Sequence, residues 1–339
     1  MRAFEYARPD TPEQAVALLG GAGHEGREAR PVAGGSDLLA LVKDGVVEPG
    51  RLVDLNGLGA LAGVARLPAA EGEAAGRLSL GALTTIEDLA ASEALAASHP
   101  AVAWSFGHVA SPQIRAVGTL GGNLCQRPRC WYFRLGYGLL AIDDGESMVR
   151  RGEDRHHAIL GNDGPALFVS PSTVAPLLIA HGAEVTALGP AGERTFPLAD
   201  LYRIPEAEGE SELTLAPGEI LTRVDLPAAP GGARAASYEI RHRKSLDWSQ
   251  ATAAVVLEMA GRRVRSARIV LGQVAPKPWR AEAAEAALVG QAVNAETAAT
   301  AAAAAVADAK PIRSNGYKIQ LARAAVRRAL MRAVEGEES

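Results

Sequence analysis

Apolar residues recur in short, well-punctuated segments up to about residue 230, and in longer runs of a different period beyond it. Thr11–Leu19 has helical spacing, with Thr11 placed to cap it and glycines following. Arg30–Ala33, Arg51–Leu55 and Arg77–Ala82 read as strands, and Leu38–Lys43 has helical character. Thr85 and Asp88 form an S/T-x-x-[DE] capping box that starts a helix, and His99–Val109 predicts another. The charged stretch Asp143–His157 reads as a solvated loop. Val174–His181 predicts a helix, and Glu184–Thr195 a hairpin around Gly189–Gly192.

Pro227–Gly232 reads as a linker. After it, Ser237–Ile240, Ala251–Glu258 and Val264–Val274 alternate as antiparallel strands do, with Gly261-Arg262 as a turn. Arg280–Leu288, Glu296–Ala309 and Gln320–Val334 then predict helices, the last basic and amphipathic. Strands followed by helices in one block imply an α+β unit. The alanine run at 298–305 fits a buried helix and carries no functional signal.

Composition narrows the class. With 339 residues, two domains are expected. The chain is 48% hydrophobic and 22% charged with a net charge of −4, so no global basic field points to nucleic acid or an anionic membrane. No apolar run suits a signal peptide or the roughly 20 residues of a membrane span. Two cysteines, Cys125 and Cys130, are too few for a disulfide framework, and a cytoplasmic location is expected.

The chemistry sits in two glycine-rich segments more than eighty residues apart: Pro31-Val32-Ala33-Gly34-Gly35-Ser36-Asp37 and Thr119-Leu120-Gly121-Gly122-Asn123. Paired glycines let main chain approach a ligand closely, and successive N–H groups in such turns form an anion-binding concavity. The pair suggests a clamp on a diphosphate. A Rossmann site is excluded, because Gly34-Gly35-Ser36-Asp37 lacks the G-x-G-x-x-G spacing. His156 and His157 are too isolated for a metal site, and none is expected.

The string from Arg30 to Leu39, then Leu80–Thr85, then Ala110–Arg134 resembles the FAD-binding medium subunit of molybdenum hydroxylases. That group includes xanthine dehydrogenase, carbon monoxide dehydrogenase and bacterial aldehyde oxidoreductase families, the last two the most similar. Arg241–Trp248 and Gly272–Arg280 extend the resemblance to nearly the whole chain. It implies an α+β protein: a two-lobed FAD-binding domain of the vanillyl-alcohol-oxidase/MurB (PCMH) type over 1–228, with lobes of about 1–56 and 57–228. A smaller C-terminal α+β domain, a three-stranded antiparallel sheet plus helices, would occupy 233–335. By the same resemblance Val32, Ala33, Gly34, Gly35, Ser36, Asp37 and Leu38, with Thr119, Gly121, Gly122 and Asn123, would hold the diphosphate and ribityl chain of a non-covalent FAD. Ala110 and Gly118 would approach the flavin, with Gly81 and Thr173 nearby. Electrons would pass from a molybdopterin-binding large subunit, through a two-iron small subunit, to FAD here and on to an external acceptor.

Three departures from the family pattern matter. Some members bind a four-iron cluster from the C-W-Y-F region, but two cysteines cannot supply four thiolates, so no iron–sulfur cluster is expected in this chain. Thr173 stands where relatives carry aspartate, and Glu239 where some carry lysine. These changes leave open a stand-alone FAD-dependent oxidoreductase with its own small substrate; a scaffold without flavin is disfavoured by the intact glycine pairs. Cys130 reads as a small buried thiol and Trp248 as core. Arg115, Arg127, Arg129 and Arg134 are read either as solvated or paired side chains or as facing phosphate or a partner. Arg241, Arg243 and Lys244 are read as an exposed strand face or as lining the flavin edge. His108 is not expected to attach flavin covalently.

Overall fold

A computed structural model describes residues 1–69, 76–243 and 246–335. Three strands, β1 (Glu5–Ala7), β2 (Ala29–Val32) and β3 (Arg51–Asp54), form a parallel sheet in the order β1-β3-β2, with Val32 beside Asp54. The helix Pro12–Gly20 covers it, its first turn capped by Thr11 Oγ1, which accepts from the Gln14 N–H at 3.2 Å. Next come β4 (Val64–Leu67) and β5 (Arg77–Gly81). A small hairpin, β6 (Ile142–Asp143) and β7 (Glu146–Ser147), precedes β8 (Glu184–Gly189), β9 (Gly192–Pro197) and β10 (Ile220–Leu226). Apart from that hairpin, these strands build an antiparallel five-stranded sheet in the order β4-β5-β10-β8-β9.

The final sheet comprises β11 (Arg234–Arg241), β12 (Ser249–Ala260), β13 (Arg263–Gly272) and the two-residue edge strand β14 (Trp279–Arg280). The short β14 adds a fourth strand to the three expected. Period-two alternation gives β12 two buried faces. Ala254 and Val256 join the core of the five-stranded sheet, with Leu80, Phe106 and Leu120. Ala253, Val255 and Leu257 face the opposite way and pack under the helices Glu282–Leu288, Ala295–Ala304 and Tyr317–Glu335. The alanine run lies in the second of these helices, with Ala298, Ala301 and Ala302 buried. Small side chains there allow close helix packing.

The stretch Asp143–His157 is largely solvated, with Asp143, Asp144, Glu146, Arg150, Arg151 and Arg155 exposed, but it forms the β6–β7 hairpin and the short helix Met148–Arg151 rather than a loop throughout. One charge is buried: Asp154 accepts from the N–H groups of Arg313 (2.6 Å) and Ser314 (2.9 Å). His157 is buried as well. This segment straps the C-terminal helices to the rest of the chain. Lys318, 1% exposed, completes the strap by donating from Nζ to the carbonyls of Gln273 (2.6 Å), His156 and His157 (both 3.2 Å).

Burial pushes the Lys318 amine down to about 7, below its value in an unfolded chain. Between pH 7 and about 10.5 the unfolded chain therefore holds more protons, so this group makes stability rise with pH across that window. Denaturant unfolding at pH 7 and pH 10 should show wild type gaining on the order of 3 kcal/mol relative to Lys318→Met. Equal changes in the two proteins would refute the shift.

Candidate functional site

The first glycine segment leaves β2 at Val32, turns at Gly35 (φ +68°) and enters the helix Leu38–Lys43. A Cβ on Gly34 would stand 1.8 Å from the Val117 carbonyl oxygen and 2.6 Å from its carbon. Main chain thus meets main chain there, and the two segments distant in sequence are brought into contact. Among the described residues, the N–H groups from Ala33 to Asp37 have no hydrogen-bond acceptor. Such a row of unpaired donors is unusual for ordered backbone unless water or a ligand completes it.

Asp37 is committed to the protein. It accepts from the Arg127 N–H (2.8 Å), Arg129 Nη1 (2.7 Å) and Arg134 Nη2 (2.8 Å), so its charge is balanced by two guanidiniums. Arg134 also donates to the carbonyls of Pro128 and Arg127, which makes the 127–134 segment a buckle on the loop. Arg127 Nε pairs with Glu212, and Arg115 with Glu87 and the Val109 carbonyl. All four arginines therefore have partners within the protein.

The second glycine segment is not a loop but a one-turn helix, Leu120–Leu124. Its leading donors are occupied: Leu120 N–H by the Thr84 carbonyl, Gly121 N–H by Ala82, and Gly122 N–H by Thr119 Oγ1. It contributes close approach more than hydrogen bonds. Asn123 Oδ1 accepts from Ser172 Oγ at 2.7 Å, which fixes the amide against the start of helix Ala175–Ala180.

These segments line a cleft of about 920 Å³. Val32, Ala33, Gly34, Gly35, Ser36, Asp37, Leu38, Ala110, Gly118, Thr119, Gly121, Gly122, Asn123 and Thr173 all border it. Gly81 does not; a Cβ there would fall 2.4 Å from the Leu61 carbonyl oxygen, so its bareness serves packing of β5. Leu19, Val47, Leu55, Leu213 and residues 215–221, which the sequence did not single out, also line the cleft. The lining also includes Ala110, Ser111, Thr173, Glu239, Arg241 and Trp248. Ala110 adopts φ +44°, a left-handed conformation that is strained for a residue bearing Cβ and is often held at functional sites.

Trp248 is not core: it is 49% exposed at the cleft and lies under Arg129, 4.4 Å from guanidinium carbon to ring centroid. Arg241 lines the cleft, whereas Arg243 is exposed and paired with Asp247; Lys244 and Ser245 lie outside the described residues. His108 is not a lining residue and stacks on Trp104 at 3.8 Å. Cys130 Sγ lies 3.2 Å from His157 Nε2, and burial raises its thiol; Cys125 is pushed up to about 12, chiefly by burial and further by Glu212. Both are therefore thiols rather than thiolates at neutral pH. His156 contacts Gln250, and among the described residues no group of three or more His, Cys, Asp or Glu is arranged to hold a metal ion.

The residues present fit a dinucleotide cofactor. Unpaired main-chain donors stand free for a diphosphate, the Gly34 approach leaves no side chain in the way, and the volume lies near the upper end of ligand cavities. Residues 2–229 match the family described as "FAD binding domain in molybdopterin dehydrogenase", and 236–333 match "CO dehydrogenase flavoprotein C-terminal domain". The chain is 33% identical to the aldehyde oxidoreductase FAD-binding subunit PaoB of Escherichia coli (strain K12), over 95% of this chain and 96% of that protein. It is also 33% identical to the carbon monoxide dehydrogenase medium chain of Afipia carboxidovorans, over 97% and 96%. The solved structure of reconstituted CO dehydrogenase from Oligotropha carboxidovorans superposes with a TM-score of 0.74 at 31% identity, covering 98% of both chains. Cleft, fold and full-length similarity agree: this chain belongs to the FAD-binding medium subunits of the molybdenum hydroxylases.

Proposed function

We propose that this chain carries FAD as the electron-transfer subunit of a molybdenum hydroxylase. Electrons would arrive from iron–sulfur clusters in a small partner subunit, leave to an external acceptor, and originate from an organic substrate oxidised in a molybdopterin-binding large subunit. The observation that carries the proposal is the row of unpaired N–H groups from Ala33 to Asp37 on the cleft lining. Bound FAD supplies the redox chemistry; the protein's residues bind, orient and shield it. The Asp37–Arg129–Arg134 buckle holds the donor loop in shape, and Gly34 packs against the main chain at Val117 and Gly118, just before the second segment. The other lining residues would grip the rest of the cofactor. The expected location of the complex is the cytoplasm; among the described residues no helix is long and apolar enough to cross a membrane.

Affinity purification of the tagged chain from its native host, followed by metal analysis and mass spectrometry, tests the assignment. A yellow complex containing molybdenum, iron and two further polypeptides is the expected result. A stable flavoprotein that purifies alone and bleaches anaerobically with a small substrate of its own would replace it with the stand-alone oxidoreductase.

A further inference from the structure

Among the described residues, buried side-chain nitrogens and oxygens without a hydrogen-bond partner occur at eleven positions. Only two of these atoms, Arg129 Nε and Glu239 Oε1, belong to residues that line the cleft. Glu239 is the more informative. Its side chain is 9% exposed, and all of its partners crowd one oxygen. Oε2 accepts from Ser249 Oγ (2.5 Å), Arg241 Nη2 (2.9 Å) and Arg241 Nε (3.3 Å). Oε1 accepts from nothing.

A buried carboxylate oxygen without a donor is costly, and satisfying it strongly favours whichever ligand brings an N–H or O–H to it. The carboxylate is also held from behind. Arg241 Nη2 reaches the His108 carbonyl at 2.7 Å, two residues before the strained Ala110, so Glu239 is fixed relative to the Ala110 side of the cleft. The family resemblance puts the flavin by Ala110 and Gly118, and the inference rests on that placement and on the proposed FAD site. The oxidised ring has one N–H, the imide.

We propose that Glu239 Oε1 accepts a hydrogen bond from the imide N–H of bound FAD and sets a negative charge beside the ring. Glu239 is thus a positioning and tuning residue. A fixed negative charge opposes any gain of electron density in the ring, which favours onward release of electrons. Arg241 offsets part of this charge, yet Glu239→Gln still removes one full negative charge at nearly unchanged shape; its single oxygen stays with Arg241 and Ser249, so an amide N–H replaces the acceptor that faces the imide.

Sulfite is the probe, read on FAD-loaded protein without turnover. Its sulfur lone pair forms a bond to a ring nitrogen, the displaced electron pair rests on the ring as negative charge, and visible absorbance bleaches. Glu239→Gln is expected to tighten sulfite at least tenfold and, having lost the free acceptor, to weaken FAD about tenfold. Glu239→Leu, which also removes the acceptor, is expected to tighten sulfite and to weaken FAD about tenfold. Asp225→Asn is the control, since Asp225 also has a buried unpaired oxygen but does not line the cleft; it should change neither. A sulfite constant within twofold of wild type in Glu239→Gln, with FAD bound, overturns the assignment of Glu239 and leaves the functional reading standing. Weakened FAD without a sulfite effect overturns it likewise, because the contact then lies elsewhere on the nucleotide. Wild-type protein that takes up no FAD overturns both.

Discussion

Gly34→Val should raise the FAD dissociation constant at least a hundredfold, measured by flavin fluorescence on protein stripped and reloaded with the cofactor. The first added carbon would stand 1.8 Å from the Val117 carbonyl oxygen, and the obstacle is main chain rather than a side chain that could rotate away. Either the donor loop or the 117–118 segment must shift. A shift spoils the convergence of the N–H groups, and a hundredfold loss corresponds to about 2.7 kcal/mol, within the range of a forced core rearrangement. Gly122→Val should do far less, about tenfold or below. That glycine is exposed, and its added carbon would meet only Thr119 Oγ1 at 3.1 Å. Cys130→Ala, whose thiol contacts His157 and not the cleft, should leave FAD affinity within about twofold, while losing about 1 kcal/mol of stability. The order Gly34, Gly122, Cys130 is the content of the prediction; Cys130 ranking first would mean that the glycine segments are not the phosphate site.

Removing the Asp37 carboxylate is the second large perturbation. In Asp37→Ala, Arg129 and Arg134 lose their common counter-ion and the Arg127 N–H loses its acceptor. The guanidiniums are only 30% and 17% exposed, so solvent compensates incompletely. Burial already pulls the Arg129 guanidinium down against the raising influence of Asp37. Discounting for partial exposure, unfolding free energy should fall by about 2–3 kcal/mol. FAD affinity should fall about tenfold with it, because the buckle shapes the loop that precedes helix Leu38–Lys43. Asp37→Asn, which keeps an acceptor without the charge, should lie between. Chemical denaturation with and without saturating FAD separates the two effects; a loss of FAD affinity with no change in apo stability would place Asp37 on the ligand instead of on the arginines.

What the sequence disclosed and what it withheld follow from how local each demand is. Thr11, Thr85 and Asp88 act within one turn, and their capping roles are visible as spacing. Glycines needed for close approach leave the same kind of trace, as at Gly34 and Gly35. Period-two alternation marked β12 and β13 for the same reason. Long-range pairing leaves no such signature. Nothing near Asp37 announces that Arg129 and Arg134, some ninety residues on, will hold it. The dense charge of 143–157 is mostly solvated, as its pattern suggested, but Asp154 within it is buried and bound by backbone from residues 313 and 314. Trp248 looked like core because it is large and apolar, yet it borders a cleft under an arginine. Gly81 shared the glycine signal but serves strand packing, since a bare Cα reads the same whether a ligand or a carbonyl lies against it.

The central claim, that cofactor diphosphate sits on the Ala33–Asp37 main chain, is tested most directly by a crystal structure of the FAD-loaded protein. The diphosphate oxygens should lie within hydrogen-bond distance, about 2.7–3.2 Å, of at least two N–H groups between residues 33 and 37. Diphosphate resting on any other segment, with those N–H groups still unpaired or bound only to water, would contradict it.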